Sequence, residues 1–331
     1  MRPFRYVKAT DLGEAVAVLV REPGSMVLAG GTNVVDLMKL GVLKPGTLVD
    51  ITGLGLDRVE HRPDGSTLVG ATVRNSELAG DEVTRARFPV LSEAILAGAS
   101  GQVRGAATTA GNLLQRTRCV YFQDVSKPCN KREPGTGCAA IGGLHRDLAV
   151  VGTSPACVAS HPSDMAVAMA ALDAKVHVRL AYGAEAEFAL EDFYRKPGFT
   201  PDRENVLQVG DLVTGVTIPA LPDGTISRYR KVRDRASYAF AVVSVAAVLR
   251  LTADGVVDHV RIALGGIGSQ PWRAFRTEEL LLGERLDRDL VRGASAEVFR
   301  DAQPLPQNDF KIGLAVSLIT TTLLGMAEEL A

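Results

Sequence analysis

The sequence predicts a mixed α+β protein of two domains. A chain of 331 residues is long enough for about two domains, each with its own core. Up to about residue 222, short strands, turns and helices follow one another. Past "ALPDGTIS", where a proline and an Asp-Gly turn mark a boundary, the pattern becomes a long hairpin and then two or three helices.

The elements follow in order. Asp11 to Val20 has helical spacing, with Thr10 or Asp11 as N-cap. "SMVLAGGTN" is a strand running into a glycine turn, "VVDLMKLG" a helix ending at Gly41, and "GTLVDI" the next strand. "GSTLVGATVRNSEL" is a strand leading to a helix capped near Asn75 or Ser76, and helical pattern continues through "VLSEAILAGA". "SGQVRGAATTAGNLLQRT" is turn-rich. "AVVGTSPACVAS" reads as strand, and "HPSDMAVAMAALDA" as a helix starting near Ser163 or Asp164. "KVHVRL" and "LVTGVTIP" are the last strands before the boundary, and "YAFAVVSVAAVLRLTADGVVDHVRIALGG" is the hairpin beyond it.

Composition narrows the function classes. Hydrophobic content of 46% and charged content of 23% are those of a soluble globular protein. A net charge of -1 argues against a nucleic-acid surface, which needs a basic excess. The N-terminus lacks an apolar signal core. The apolar run "GLAVSLITTTLLGM" is too short and threonine-rich for a membrane span and reads as a buried core helix.

All four cysteines, Cys119, Cys129, Cys138 and Cys157, fall in one 39-residue window, with nine, eight and eighteen residues between them. Two disulfides, a zinc site and an iron–sulfur cluster are the three readings. A core of this size needs no staples, and zinc ligands usually come in close pairs that are absent here. Wide spacing suits a loop around something larger, such as a cluster held by four thiolates. Arg116, Arg118, Lys127, Lys131, Arg132 and Arg146 crowd the segment. Cations of this kind lower thiol pKa values and offset a cluster's negative charge.

The glycine turn "VLAGGTN" lacks the spacing of a Rossmann fingerprint, since G-G-T-N-V-V stands where G-x-G-x-x-G is needed. Successive N–H groups at Gly30, Gly31, Thr32 and Asn33 still suit a pyrophosphate nest. "ATTAGNLLQRT" is a second small-residue turn, "SHPSDMAVAM" places Asp164 to accept from polyol hydroxyls, and "YRKVRDRASYAFAVV" adds a cationic group. Together they suggest one large phosphorylated cofactor.

"AGGTNVVDLMK", "VRGAATTAGNLL", "HPSDMAVAM", "YRKVRDRASYAFAVVSVAAV" and "IALGGIGSQPWRA" in this order resemble the FAD-binding medium subunits of molybdenum hydroxylases, the xanthine dehydrogenase family. "QRTRC", "PCNKR", "GTGCAA" and "ACVASHPSDMA" resemble the branch of bacterial aldehyde oxidoreductase flavin subunits that carry an additional [4Fe–4S] cluster. The flavin subunits of 4-hydroxybenzoyl-CoA reductases form a related branch. The resemblance implies a two-subdomain FAD-binding domain of the vanillyl-alcohol-oxidase (PCMH) type over residues 1–222, divided near residue 58, with the cluster loop at 115–160. A smaller C-terminal α+β domain would take 223–331.

The same resemblance implies roles. Val27, Leu28, Ala29, Gly30, Gly31, Thr32, Asn33, Val34 and Val35 would form the loop around the FAD pyrophosphate. Thr108, Gly111 and Asn112 would make the second phosphate- and ribityl-side contact. Asp164 would meet the polar side of the flavin, Val213 would approach the ring through its backbone, and Lys231 would be the cationic partner. Cys119, Cys129, Cys138 and Cys157 would hold the [4Fe–4S] cluster. No catalytic residue is implied in this chain. One departure stands out: "ILAGASGQVR" has no aromatic residue to lie beside the flavin, and Ile267 is the candidate cover in its place. Trp272 reads as packing.

The implied activity is electron transfer within a heterotrimer. A small [2Fe–2S] subunit and a large molybdenum-cofactor subunit would deliver electrons to FAD, which passes them to an external acceptor. The alternatives are a hydroxybenzoyl-CoA reductase-like or other molybdenum hydroxylase subunit, a free-standing flavin oxidase, and a non-catalytic iron–sulfur scaffold. His61, His145, His161 and His259 give no clear covalent flavin tether. The expected location is periplasmic, by export on a partner's twin-arginine signal, or cytoplasmic.

Overall fold

The computed structural model describes residues 1–330. Its first unit comprises β1 (Arg5–Lys8), α1 (Leu12–Arg21), β2 (Met26–Leu28), α2 (Val34–Lys39) and β3 (Thr47–Asp50). The strands are parallel in the order β1-β3-β2, as a strand–turn–helix–strand sequence demands. Central β3 is buried along its whole length. Asp11 caps α1 by accepting from the Glu14 N–H at 2.8 Å. Gly41, at φ +76°, lets the chain leave α2.

The second unit opens with β4 (Val59–His61), β5 (Thr67–Gly70), α3 (Asn75–Gly80), α4 (Glu82–Arg87) and α5 (Pro89–Ala97). The stretch read as turn-rich forms two short helices, α6 (Gly101–Ala106) and α7 (Thr109–Leu113), begun by side-chain caps from Ser100 and Thr108. After α8 (Val120–Gln123), the cysteine segment has no helix or strand until α9 (Asp164–Ala171). β6 (Lys175–Arg179), β7 (Glu185–Ala189), α10 (Leu190–Phe193) and β8 (Leu212–Ile218) complete the unit. Its antiparallel sheet runs β4-β5-β8-β6-β7. Every residue of α9 is buried, which suits a helix enclosed by other elements.

"AVVGTSPACVAS" is not a strand, contrary to the expectation. The Val150 and Val151 N–H groups both donate to the Ile267 carbonyl, at 2.7 and 3.1 Å, and the segment makes only isolated bridges. β4, β7 and β9 were not anticipated, because charged residues break up their apolar pattern.

The third unit contains β9 (Ile226–Val232), β10 (Val243–Leu251), β11 (Val257–Gly265) and β12 (Trp272–Arg273), antiparallel in the order β12-β11-β10-β9. α11 (Phe275–Leu281), α12 (Arg288–Ala296), a 3₁₀ turn at Glu297–Phe299 and α13 (Phe310–Leu330) follow. The predicted apolar run lies inside α13, which at 21 residues is long and apolar enough to cross a membrane by length and composition. Its Ala315, Val316, Ile319, Leu323 and Met326 nevertheless face the C-terminal core, and the helix packs on β9 and β10.

β10 serves two cores at once. Val243, Val245, Ala247 and Leu249 join the C-terminal cluster, whereas Ala246 and Val248 join the cluster built by α5, α9 and the five-stranded sheet. This alternation is the period of two of a strand covered on both faces.

Candidate functional site

Two loops present their backbone toward one region. The first, from Ala29 to Asn33, joins β2 to α2. A Cβ on Gly30 would lie 1.9 Å from the Ala106 carbonyl oxygen, so only glycine permits this approach to the end of α6. Gly31 has φ +72°, the left-handed region that glycine enters without strain. The N–H groups of Gly30, Gly31, Thr32 and Asn33 meet no acceptor among the described residues, which is the condition for an anion nest.

Asn33 sharpens the picture. Its Oδ1 accepts from the Arg116 N–H at 3.0 Å, and its Nδ2 is buried without a partner. A backbone N–H only donates, so the carbonyl side of the amide must face Arg116. The second loop starts α7, where Thr108 Oγ1 accepts from the Gly111 N–H at 3.3 Å. Asn112 Oδ1 accepts from Gln115 Nε2 at 2.9 Å and from Ser163 Oγ at 2.5 Å.

Thr32, Asn33, Gly111, Asn112 and Asp164 line a cavity of about 320 Å³. It adjoins a larger one of about 790 Å³, and Arg118, Pro162, Asp164, Ala239 and Phe240 belong to both. Asp164 begins α9. Its two oxygens accept from Tyr229 at 2.5 Å and Lys231 at 2.7 Å, and Lys231 also donates to the Ala97 carbonyl at 3.1 Å. Burial, and next the Asp164 charge, push the Tyr229 phenol well above its ordinary range, which keeps it a donor. Lys231 is thus the buried counter-ion of Asp164, with 4% of its side chain exposed. Burial pulls His161 down to about 4, so a neutral imidazole lines the larger cavity.

Not every expected residue reaches the cavities. Val27 and Leu28 belong to β2, Ala29, Gly30 and Gly31 to the turn after it, Val34 and Val35 to the first turn of α2, Thr108 to the cap of α7 and Lys231 to β9, and none of them lines either cavity. Val213 pairs with Val178 inside the five-stranded sheet and lines neither cavity. Ile267 is fully buried in the C-terminal core and cannot serve as the cover. Phe310 of α13 lines the larger cavity, and the loop between β9 and β10 brings Phe240 to both cavities and Tyr238 to the smaller one. Phe240 and Tyr238 are about half exposed, and Phe240 lies under the Arg118 guanidinium at 5.1 Å. The sequence signal for them was a pair of aromatics in "RDRASYAFA", a charged, turn-like stretch without a core pattern.

Beyond the Cys119 wall of the larger cavity, the four cysteines come together as free thiols. Cys119, Cys129 and Cys157 are buried in one apolar cluster with Leu37 of α2 and Phe122 of α8, and Cys138 packs against it. No group of three or more His, Cys, Asp or Glu among the described residues is close enough to hold a metal ion. The expectation that nearby cations lower the thiol pKa values fails at two positions. Burial pushes the Cys119 thiol up to about 11, and raises Cys157 despite the opposing Lys131 charge. The cations are engaged elsewhere. Arg132 donates to the Tyr121 and Phe122 carbonyls, Arg118 pairs with Asp36, and Lys131 and Arg116 share Glu204.

A cavity lined by Thr32 and Asn33 of one glycine turn and by Gly111 and Asn112 of another, with aromatic rings along it, suits a ligand that has both phosphates and a flat ring. The fold and the site define a flavin-dinucleotide protein. Residues 2–221 match the family described as FAD binding domain in molybdopterin dehydrogenase, and residues 227–325 match the CO dehydrogenase flavoprotein C-terminal domain. The chain is 49% identical over 326 residues, 98% of each chain, to the aldehyde oxidoreductase FAD-binding subunit PaoB of Escherichia coli strain K12. It is 30% identical to the glyceraldehyde dehydrogenase medium chain of Sulfolobus acidocaldarius, over 91% of this chain and 89% of that one. Quinoline 2-oxidoreductase from Pseudomonas putida 86 shares the fold, with a TM-score of 0.76 at 21% identity over 99% of this chain and 98% of that chain. The chain belongs to the FAD-binding medium subunits of the molybdenum hydroxylases.

Proposed function

We propose that this chain is the FAD-carrying electron-transfer subunit of a molybdenum-dependent aldehyde oxidoreductase and that its four cysteines hold a [4Fe–4S] cluster. The flavin domain takes residues 1–222 and the C-terminal domain 223–331. Bound FAD supplies the exchange between one- and two-electron chemistry. The protein's part is to hold and shield it. The N–H groups from Gly30 to Asn33 and the turn at Thr108, Gly111 and Asn112 receive the phosphates. Asp164, fixed by Tyr229 and Lys231, presents its end of α9 to the cavity, and Phe240 and Tyr238 stand at its side.

The observation that carries the reading is the shared wall: Cys119 lines the larger cavity and packs into the thiol cluster behind it. Four free thiols converge without forming a single-ion site. A cluster, several ångströms across, takes ligands that stand apart from one another. The proposed partners are a small [2Fe–2S] subunit and a large molybdenum-cofactor subunit, because every cysteine here is assigned to one cluster. Anaerobic purification of the chain alone should give one FAD and the iron of one [4Fe–4S] cluster, with no turnover of aromatic or aliphatic aldehydes with a dye acceptor. Zinc in place of iron would overturn the cluster, and turnover at the rate of the complex would overturn the division of labour.

A further inference from the structure

We infer that Glu204 is a positioning residue for the flavin nucleotide: acting through Arg116, it holds the Asn33 amide toward the phosphates. This rests on the reading of the Gly30–Asn33 loop as the pyrophosphate cradle.

Glu204 lies outside both cavities, in the connection between α10 and β8. Its carboxylate accepts from Arg116 Nε and, at 2.9 Å, from Lys131 Nζ. The guanidinium of Arg116 also donates to the Lys131 carbonyl at 3.2 Å and lies 4.6 Å over the Phe122 ring. Lys131, 9% exposed, adds a bond to the Pro201 carbonyl at 3.0 Å. The side chain of Arg116 is therefore gripped on several sides, and its own backbone N–H is the donor to Asn33 Oδ1. Fixing the carbonyl side of that amide leaves Nδ2, the buried donor without a partner, as the free end. A buried donor costs free energy until an acceptor meets it, and a phosphate oxygen is such an acceptor. Two cations share the one carboxylate, which leaves a positive charge in excess beside the cradle.

The same connection reaches the second cradle. Tyr194 pairs with Asn205 in an isolated bridge, the Arg195 N–H donates to the Glu204 carbonyl at 3.0 Å, and the Tyr194 hydroxyl donates to the Leu113 carbonyl at the end of α7 at 3.0 Å. One segment that touches no ligand thus braces both phosphate loops.

A double-mutant cycle tests this, with FAD affinity of the full chain, stripped of flavin and retitrated, as the readout. Asn33→Ala and Glu204→Gln should each weaken FAD binding about tenfold, and the double variant should be no more than about twofold weaker than the worse single one. Melting temperatures report folding separately. If Glu204→Gln does not fold, Glu204→Asp, which keeps the charge and shortens the reach, enters the same cycle with an intermediate loss expected. Wild-type affinity in the Glu204 variant, or fully additive losses, would overturn the inference while leaving the cradle intact. Wild-type affinity in Asn33→Ala would remove the cradle assignment and the inference together.

Discussion

The first glycine loop runs into the start of α2 and the cysteine loop packs on its Leu37, and the two loops solve opposite problems. At Gly30 and Gly31 side chains are stripped away, so that backbone N–H groups stay free for a ligand. In the cysteine loop the irregular backbone is dressed with long side chains. Arg132 covers the Tyr121, Phe122 and Lys127 carbonyls, Arg116 the Lys131 carbonyl, and Lys311 the Leu148 carbonyl. A buried chain outside helix and sheet must find partners for its polar groups. The comparison teaches that one loop keeps its donors unpaired by shedding side chains, whereas the loop that gathers the thiols is held by cations on carbonyls.

The sharpest way to break that comparison is Gly30→Val. Its Cβ would meet the Ala106 backbone at 1.9 Å. The variant should lose bound FAD and about 1–3 kcal/mol of stability or more. In Gly31→Val the new Cβ meets only movable side-chain methyls, of Val35 at 3.2 Å and Leu28 at 3.6 Å, and the φ of +72° costs about 1–2 kcal/mol. It should therefore lose flavin with a smaller fall in melting temperature. Equal melting of the two variants would mean that both glycines serve the same purpose.

A smaller effect tests the dressed loop. Burial pulls the Lys311 ammonium down to about 8 from an ordinary 10.5, with Asp147, Arg146 and Asp234 as the charges that face it. The unfolded chain binds more protons between those two values. The destabilising contribution is fully present below pH 8 and is relieved as pH rises toward 10.5. Against Lys311→Met, the wild-type advantage in urea midpoint should grow between pH 7 and pH 10, by about 1–3 kcal/mol. An advantage that stays constant with pH counts against a buried, titrating lysine.

The smallest effect belongs to Arg146, which pairs with Asp234 at 2.8 Å in a half-exposed setting. Arg146→Ala should cost less than about 1 kcal/mol, and less still in high salt. A loss of several degrees in melting temperature would show that this outer clasp belongs with the buried ones.

Local signals in the sequence carried much of the fold. The Asp11 cap, the strand–turn–helix–strand at 26–50, the α9 start at Ser163 and the β10–β11 hairpin depend on neighbours a few residues apart. The gathering of the four cysteines was also legible, since thiols in one window of a cysteine-poor chain invite a common site. What was hidden depends on distant partners. Nothing near Gly30 announces Ala106, and nothing near Arg116 announces Glu204. Phe240 and Tyr238, not Ile267, line the cavities because they lie on a loop of the third unit, distant in sequence from the other lining residues. The thiol pKa shifts miscarried for a similar reason: sequence counts the cations but shows neither the burial that raises Cys119 and Cys157 nor the carbonyls and carboxylates that already engage Arg132 and Lys131.

The two-sided packing of β10 has a consequence for how the chain can be divided. The row of Ala246 and Val248, with Tyr229 of β9 and Ala263 of β11, completes a core whose other buried members precede residue 219, so the C-terminal unit is a wall of the flavin domain and not its neighbour. Produced alone, the N-terminal portion would present that core to water and the C-terminal portion would present a bare sheet face, and each would be prone to aggregate. A protease cut between Ile218 and Ile226, by contrast, should leave two fragments that stay associated and melt together, because burial rather than the peptide link holds them.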